Sequence, residues 1–166
     1  MKQLLAAALL FAITLSSPLP KPWFLAGSRP RDYFAGVDGS PGARGLFLAS
    51  RSARAQGFGT IMQTLSASKH RGTRLRLKAA VCSERVDGWA GVWMRVDGKS
   101  RRVLSFDNMQ DRPINGTRDW YDVEIVLNVP PESEAISFGI LLHGTGTVWL
   151  DNVRFEDAAG ELVTGR

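Results

Sequence analysis

Apolar and polar positions alternate with period two through most of the chain, as side chains do along a strand with one face in a core. The pattern is sharpest from Arg74 to Cys82, where Leu75, Leu77, Ala79 and Val81 point one way and Arg74, Arg76 and Lys78 the other. Tyr121 to Val129 repeats it with opposite charge: Val123, Ile125 and Leu127 inward, Asp122, Glu124 and Asn128 outward. If these two strands pair, cations face carboxylates on a wet surface, each pair contributing a few tenths to roughly 1 kcal/mol. Pro130-Pro131 ends the second strand. Between them, Trp89 to Asp111 reads as two antiparallel strands joined at Asp97-Gly98. Its first strand places Val92, Met94 and Val96 on one face and Gly91, Trp93 and Arg95 on the other.

Shorter strands are expected at Trp23–Gly27, Gly45–Ser50 and Phe58–Leu65. Asp32 to Gly45, rich in Gly, Asp, Ser and Pro, reads as loop with Tyr33 and Phe34 as anchors. Ile136–Leu142 and Thr147–Phe155 close the chain, and His143-Gly144-Thr145-Gly146 between them has the glycines of a hairpin loop. Helical periodicity is absent beyond the first residues. Short strands punctuated by Gly, Pro, Asp and Asn predict an all-β fold, a two-sheet antiparallel sandwich or a barrel.

The amino-terminal stretch has a different character. Met1-Lys2 is a positive start, Leu4 to Leu15 is an apolar run short for a bilayer span, and Ser16-Ser17 with Pro18 and Pro20 ends it. This predicts a leader helix within a signal peptide, 1–17, and export to the periplasm or medium; a core helix or uncleaved membrane anchor is the alternative. A proline-rich linker (18–22), a sandwich domain (23–156) and a polar tail (157–166) follow.

At 166 residues, one domain with a proper core is the default. The single cysteine, Cys82, excludes an internal disulfide and sits where a small strand residue is expected. The net charge of +5 would suit an anionic partner, but the arginines are scattered rather than gathered on one run, so nucleic acid is not expected. His70 reads as a surface residue between Lys69 and Arg71. Two histidines and one cysteine, widely spaced, do not make a zinc site.

The strand order then carries a resemblance. A Trp-led entry, a Gly-rich loop, G-F-G-T-I-M-Q, L-R-L-K-A-A-V, a Trp-containing strand, D-W-Y-D-V-E-I-V-L-N-V-P, I-S-F-G-I-L-L and V-W-L-D-N-V follow one another. Together they resemble the galactose-binding-like jelly roll of many carbohydrate-binding modules, over Trp23 to Glu156. F-D-N-M-Q-D-R-P-I-N-G-T also resembles bacterial modules joined to a DNA-binding helix-turn-helix. With a leader in that partner's place, a sensory role would need a separate chain. The resemblance implies two binding places, the concave face of one sheet and the loops at one edge. Carried over, Trp93 and Arg95 fall on the concave face, with Gln63 and His143 nearby; Trp89, Asp107, Asn108 and Arg112 are the loop candidates. Family members also hold a structural calcium near early loops, where Asp32 and Asp38 lie, but no dense oxygen cluster accompanies them, so no cofactor or metal is assigned.

Sugar recognition needs a flat apolar surface for the ring's C–H face and planar hydrogen-bonding groups for its hydroxyls. Trp93 beside Arg95 meets both requirements. The competing expectation is that Trp93 packs beneath a loop while Arg95 pairs with a carboxylate. Trp23, Trp120 and Trp149 read as structural. Asp107 and Asp111, two acids on one loop, lack the separated geometry of a paired-carboxylate hydrolase, and His143 lacks a nucleophile motif beside it. The sequence therefore points to a non-catalytic, exported module binding carbohydrate or a related polyol. An interaction module for protein or envelope polymer is the alternative, and a small hydrolase the remote one.

Overall fold

The computed structural model describes residues 16–40 and 45–157. The leader-helix expectation and most of the polar tail lie outside the described residues. Within them the chain is built from strands: β1 (Phe24–Gly27), β2 (Tyr33–Val37), β3 (Leu46–Ser50), β4 (Phe58–Ser66), β5 (Thr73–Asp97), β6 (Val103–Asp107), β7 (Ile114–Val129) and β8 (Ala135–Glu156). Helical turns are confined to Pro30–Asp32 and Lys99–Arg101. The all-β expectation holds, with antiparallel pairing throughout.

β5 and β8 are the frame. They pair from Arg76↔Glu156 to Asp97↔Ala135, so that all eight strands form one hydrogen-bonded array, and β5 and β8 each run through both of its layers. Where β8 is Ala135 to His143, β4 and then β1 flank it on one side, with β5 and then β6 on the other. Farther along, Thr147–Leu150 of β8 pairs with β3, which pairs with β2, while Thr73–Val81 of β5 pairs with β7. The register shifts between Glu84 and Asp87 mark the crossing. Opposite them, Gly144 and Gly146 take φ of +84° and +118°, a region L-residues with side chains rarely adopt.

This corrects one expectation. His143–Gly146 is not a hairpin loop but a bend inside one continuous strand, because a glycine pair that permits a turn equally permits a kinked strand to change sheets. Two smaller corrections accompany it. Tyr33–Val37, placed in a loop, is a strand, and Tyr33 is fully buried with its hydroxyl near the carbonyls of Gly57 (2.9 Å) and Gly144 (3.0 Å). The β5–β6 connection is Gly98 to Arg102, longer than the Asp97-Gly98 turn expected.

The expected pairing of Arg74–Cys82 with Tyr121–Val129 is present, with Leu77 opposite Ile125 and Lys78 opposite Glu124. The charged face recruits a third strand that the pattern did not reveal: Lys78 Nζ lies 3.3 Å from Glu156 on β8, and Arg76 Nε 3.7 Å from Glu124. The inner faces join in one core containing Leu75, Leu77 and Val81 with Ile136, Ile140 and Leu142. Trp23 meets Phe138 edge-on at 5.7 Å, and Trp149 Nε1 donates to Asp38 Oδ2 at 2.8 Å, so both indoles are structural as expected. Asp38 also takes the Ser40 N–H.

His70 departs from its expectation. It is 5% exposed, beside the Phe155 ring (6.3 Å between centroids), and burial, with Lys69 nearby, holds its pKa below the ordinary value. Its charged neighbours in sequence masked a position facing inward at the sandwich end. Cys82 is partly buried; burial and then the charges of Asp119 and Glu84 push its thiol pKa up, away from thiolate character.

Candidate functional site

On the outer face of the β1-β4-β8-β5-β6 sheet, register sets side chains in rows across the strands. Phe58, His143 and Trp89 form one row; Ala26, Thr60, Leu141 and Gly91 the next; then Phe24, Met62, Gly139 and Trp93; then Thr64, Ser137, Arg95 and Phe106. A groove of about 500 Å³ crosses these rows. That is within the roughly 300–1,000 Å³ of small-molecule sites.

Trp93 makes the floor. It sits on β5, and its indole Nε1 donates to Thr60 Oγ1 on β4 at 2.8 Å. Since β8 lies between those strands, the ring must lie over β8, across a gap of two strand spacings, about 10 Å. Gly139 is the β8 residue beneath that span, and a Cβ there would run into the Ile61 carbonyl. Thr60 in turn donates to the Ile140 carbonyl at 2.9 Å. The indole thus belongs to the groove face yet is only 7% exposed. Its nitrogen is already spent, so it offers apolar surface alone.

The walls are set by neighbouring rows. Trp89 and His143, cross-strand partners, hold their rings nearly parallel, 19° apart with centroids 6.4 Å apart. At the other end, Phe106 stands 52% exposed beside Arg95. Arg95 donates from Nε to Asp97 Oδ2 at 3.0 Å. Arg95 therefore pairs with a carboxylate, as the competing expectation has it, and also lines the groove. Asn108 completes the lining from the loop after β6; Gly91 admits that loop, since a Cβ there would press on the Asn108 carbonyl at 2.5 Å.

Of the residues singled out from sequence, Trp93, Arg95, Trp89, Asn108 and His143 come together in this groove. Gln63 does not. It shares the parity of Ile61 on β4, opposite to Thr60 and Met62, and lines a separate cavity of about 580 Å³ against inner-face residues such as Leu65, Phe138 and Leu150. A period-two argument applied to β4 alone would have separated Gln63 from Trp93 only if the strand's inward face had been fixed first.

Asp107 and Arg112 lie on the neighbouring surface beside Phe106 and Asn108. Arg112 Nη2 bonds Asp107 Oδ2 at 2.6 Å while Nη1 bonds Asp111 Oδ1 at 2.7 Å, and Asp107 Oδ1 takes the Met109 N–H at 2.8 Å. Burial pushes the Asp107 carboxyl up, but hydrogen bonds from Arg112 and Met109 and the guanidinium charge outweigh it and hold it below the usual range. One arginine neutralises both acids, an arrangement that fixes the loop. Phe58, Thr60, Met62, Phe106 and Leu141 were not foreseen as lining; their signal was the cross-strand register, which no single strand reveals.

No family model matches this chain. Its sequence is 43% identical over 141 residues to the uncharacterized HTH-type transcriptional regulator YbfP of Bacillus subtilis (strain 168), covering 82% of this chain and 48% of that protein. The chain thus spans about half the length of this relative. Among solved structures, the family 22 module at the carboxyl-terminal end of Clostridium thermocellum Xyn10B superposes with a TM-score of 0.57 at 13% identity, over 86% of this chain and 89% of that one. The CBM22-1 xylan-binding domain of Paenibacillus barcinonensis Xyn10C gives 0.55 at 12% identity, over 90% and 91%. The enzymatically active domain of bacteriophage CBA120 tailspike protein 4 gives 0.59 at 14% identity, over 86% of this chain and 20% of that one. At such identities the likeness concerns architecture: this chain has the jelly-roll fold of carbohydrate-binding modules.

Proposed function

We propose that this sandwich is a ligand-binding module that takes a carbohydrate or related polyol in the groove floored by Trp93. The observation that carries the reading is the groove itself. Flat apolar surfaces from Trp93, Trp89 and Phe106 alternate with the polar heads of Arg95, Asn108 and His143. Apolar faces suit the C–H side of a pyranose and polar heads its hydroxyls. The xylan-binding modules that share the fold add support. We assign no reaction to the site: Asp107 and Asp111 share one arginine and stand apart from the groove lining.

The 43% identity to a helix-turn-helix regulator favours a second context for the same chemistry, in which the groove senses a ligand for transcriptional control. Export, expected from the apolar leader, is the competing context. Binding to a panel of oligosaccharides, followed by tryptophan emission, tests the shared chemistry. Fractionating cells for the native chain separates the contexts, since a sensor stays with the cytoplasm and an exported module does not.

A further inference from the structure

The groove is rich in donors and poor in acceptors. Among the described residues that line it, the ionisable ones are Arg95 and His143, and none is Asp or Glu. Its neutral polar groups are largely committed as acceptors. Thr60 Oγ1 takes the Trp93 N–H and gives its own proton to the Ile140 carbonyl. Asn108 Oδ1 takes the Gln110 N–H at 3.1 Å, and no described residue accepts from its amide hydrogens. Asp97 accepts from Arg95 Nε, and no described residue takes the guanidinium's terminal N–H groups. Asp97 itself is buried and outside the groove lining; its Oδ1 has no hydrogen-bond partner among the described residues, but it is shielded from the groove's solvent.

A neutral sugar presents hydroxyls that both donate and accept, and it is best held by a mixture of donors and carboxylates. A groove with spare donors and no free carboxylate is complementary to an acceptor-only group. Arg95, its side chain 38% exposed and its terminal nitrogens without a described partner, fits a carboxylate as a fork. Trp89 and Arg95 are six residues apart on β5, about 20 Å at strand rise, so the groove accommodates several sugar rings in line.

Resting on the carbohydrate reading above, we propose that the ligand is an acidic oligosaccharide, a chain of uronic acid residues, with one ring against Trp89 and His143 and one carboxylate on Arg95.

The experiment titrates the full chain, by calorimetry, with matched tetramers of galacturonate, glucuronate, mannuronate and guluronate, their methyl esters, and the corresponding neutral hexose tetramers. The expected result is that at least one acid binds about tenfold or more tightly than its own methyl ester, as a charge-assisted fork contributes over a neutral contact. Added salt should narrow that gap, and Arg95→Gln should close it. Because Arg95→Gln leaves Asp97 buried without its partner, the double variant Arg95→Gln/Asp97→Asn is measured beside it; the acid–ester comparison on the parent protein needs no variant. Equal binding of acid, ester and neutral tetramers would overturn the acidic preference and leave the carbohydrate reading standing. Binding of none would overturn both.

Discussion

Trp93 on β5 donates its indole N–H to Thr60 Oγ1 on β4, 2.8 Å away, over an intervening strand. That single bond ties a large aromatic ring across β8 instead of letting it stand into solvent. It makes a groove floor out of a residue that is nearly buried.

Thr60→Val, close in shape, would remove both the acceptor for Trp93 and the donor to Ile140. An orphaned buried N–H costs about 1–3 kcal/mol, so the urea midpoint should fall by that equivalent while Thr60→Ser stays near the parent. An unchanged midpoint for the valine variant would show that the bond does not hold the ring.

Gly139→Ala drives a methyl group against the Ile61 carbonyl and the Met62 Cα, in the row that also holds Trp93. Because the obstacle is backbone, β4 and β8 have to separate locally, at a cost of about 1–3 kcal/mol for overpacking. Thermal melts should show the loss, and ligand binding should weaken with it as the floor lifts. A variant as stable as the parent would mean that the strands have slack there.

Arg112→Gln separates the loop from the groove. Arg112 is partly exposed, so releasing its ion pairs with Asp107 and Asp111 should cost under about 1 kcal/mol. Ligand affinity should change by less than about threefold, since energetic effects of residues outside the contact surface are small. Abolished binding in a folded Arg112→Gln protein would move the site to the loop.

His70 gives a pH signature. Its pKa is lowered in the fold by burial, so below the ordinary histidine value the unfolded chain binds the proton more readily than the folded one. Its contribution is therefore complete above about pH 6.5 and is lost as the pH falls through the depressed folded pKa. Urea unfolding across this window should show stability declining toward acid in the parent and a shallower decline in His70→Gln. Identical slopes would contradict the assignment.

Much of this was legible from the chain. Alternation over Arg74–Cys82 and Tyr121–Val129 pointed to which faces are inward and to a pairing of the two strands, because a half-buried strand has only one way to hide its apolar positions. The outward parity of Trp93 and Arg95 followed from the same rule applied to Val92, Met94 and Val96. What alternation could not supply was long-range register. Gln63, which the resemblance puts near Trp93, faces the opposite side of the sheet, and Phe106, on which the single-strand pattern is silent, is the cross-strand neighbour of Arg95. Glycine at 144 and 146 signalled positive φ correctly but not whether the chain would reverse or bend, a choice made by pairing with β5. The charges flanking His70 point to the surface, whereas its burial comes with packing beside Phe155, far along the chain.

The most direct test of the central claim is tryptophan emission during titration with neutral and acidic oligosaccharides, in the parent and in Trp89→Ala. Trp89 is half-buried on the groove wall, so its truncation should spare the fold yet remove an aromatic contact of about 2 kcal/mol or more, a loss of roughly thirtyfold in affinity. The account predicts a saturable change in emission with at least one saccharide, weakened by that order in Trp89→Ala. Flat emission and no heat with every saccharide, or a Trp89→Ala protein that binds as the parent does, would contradict it.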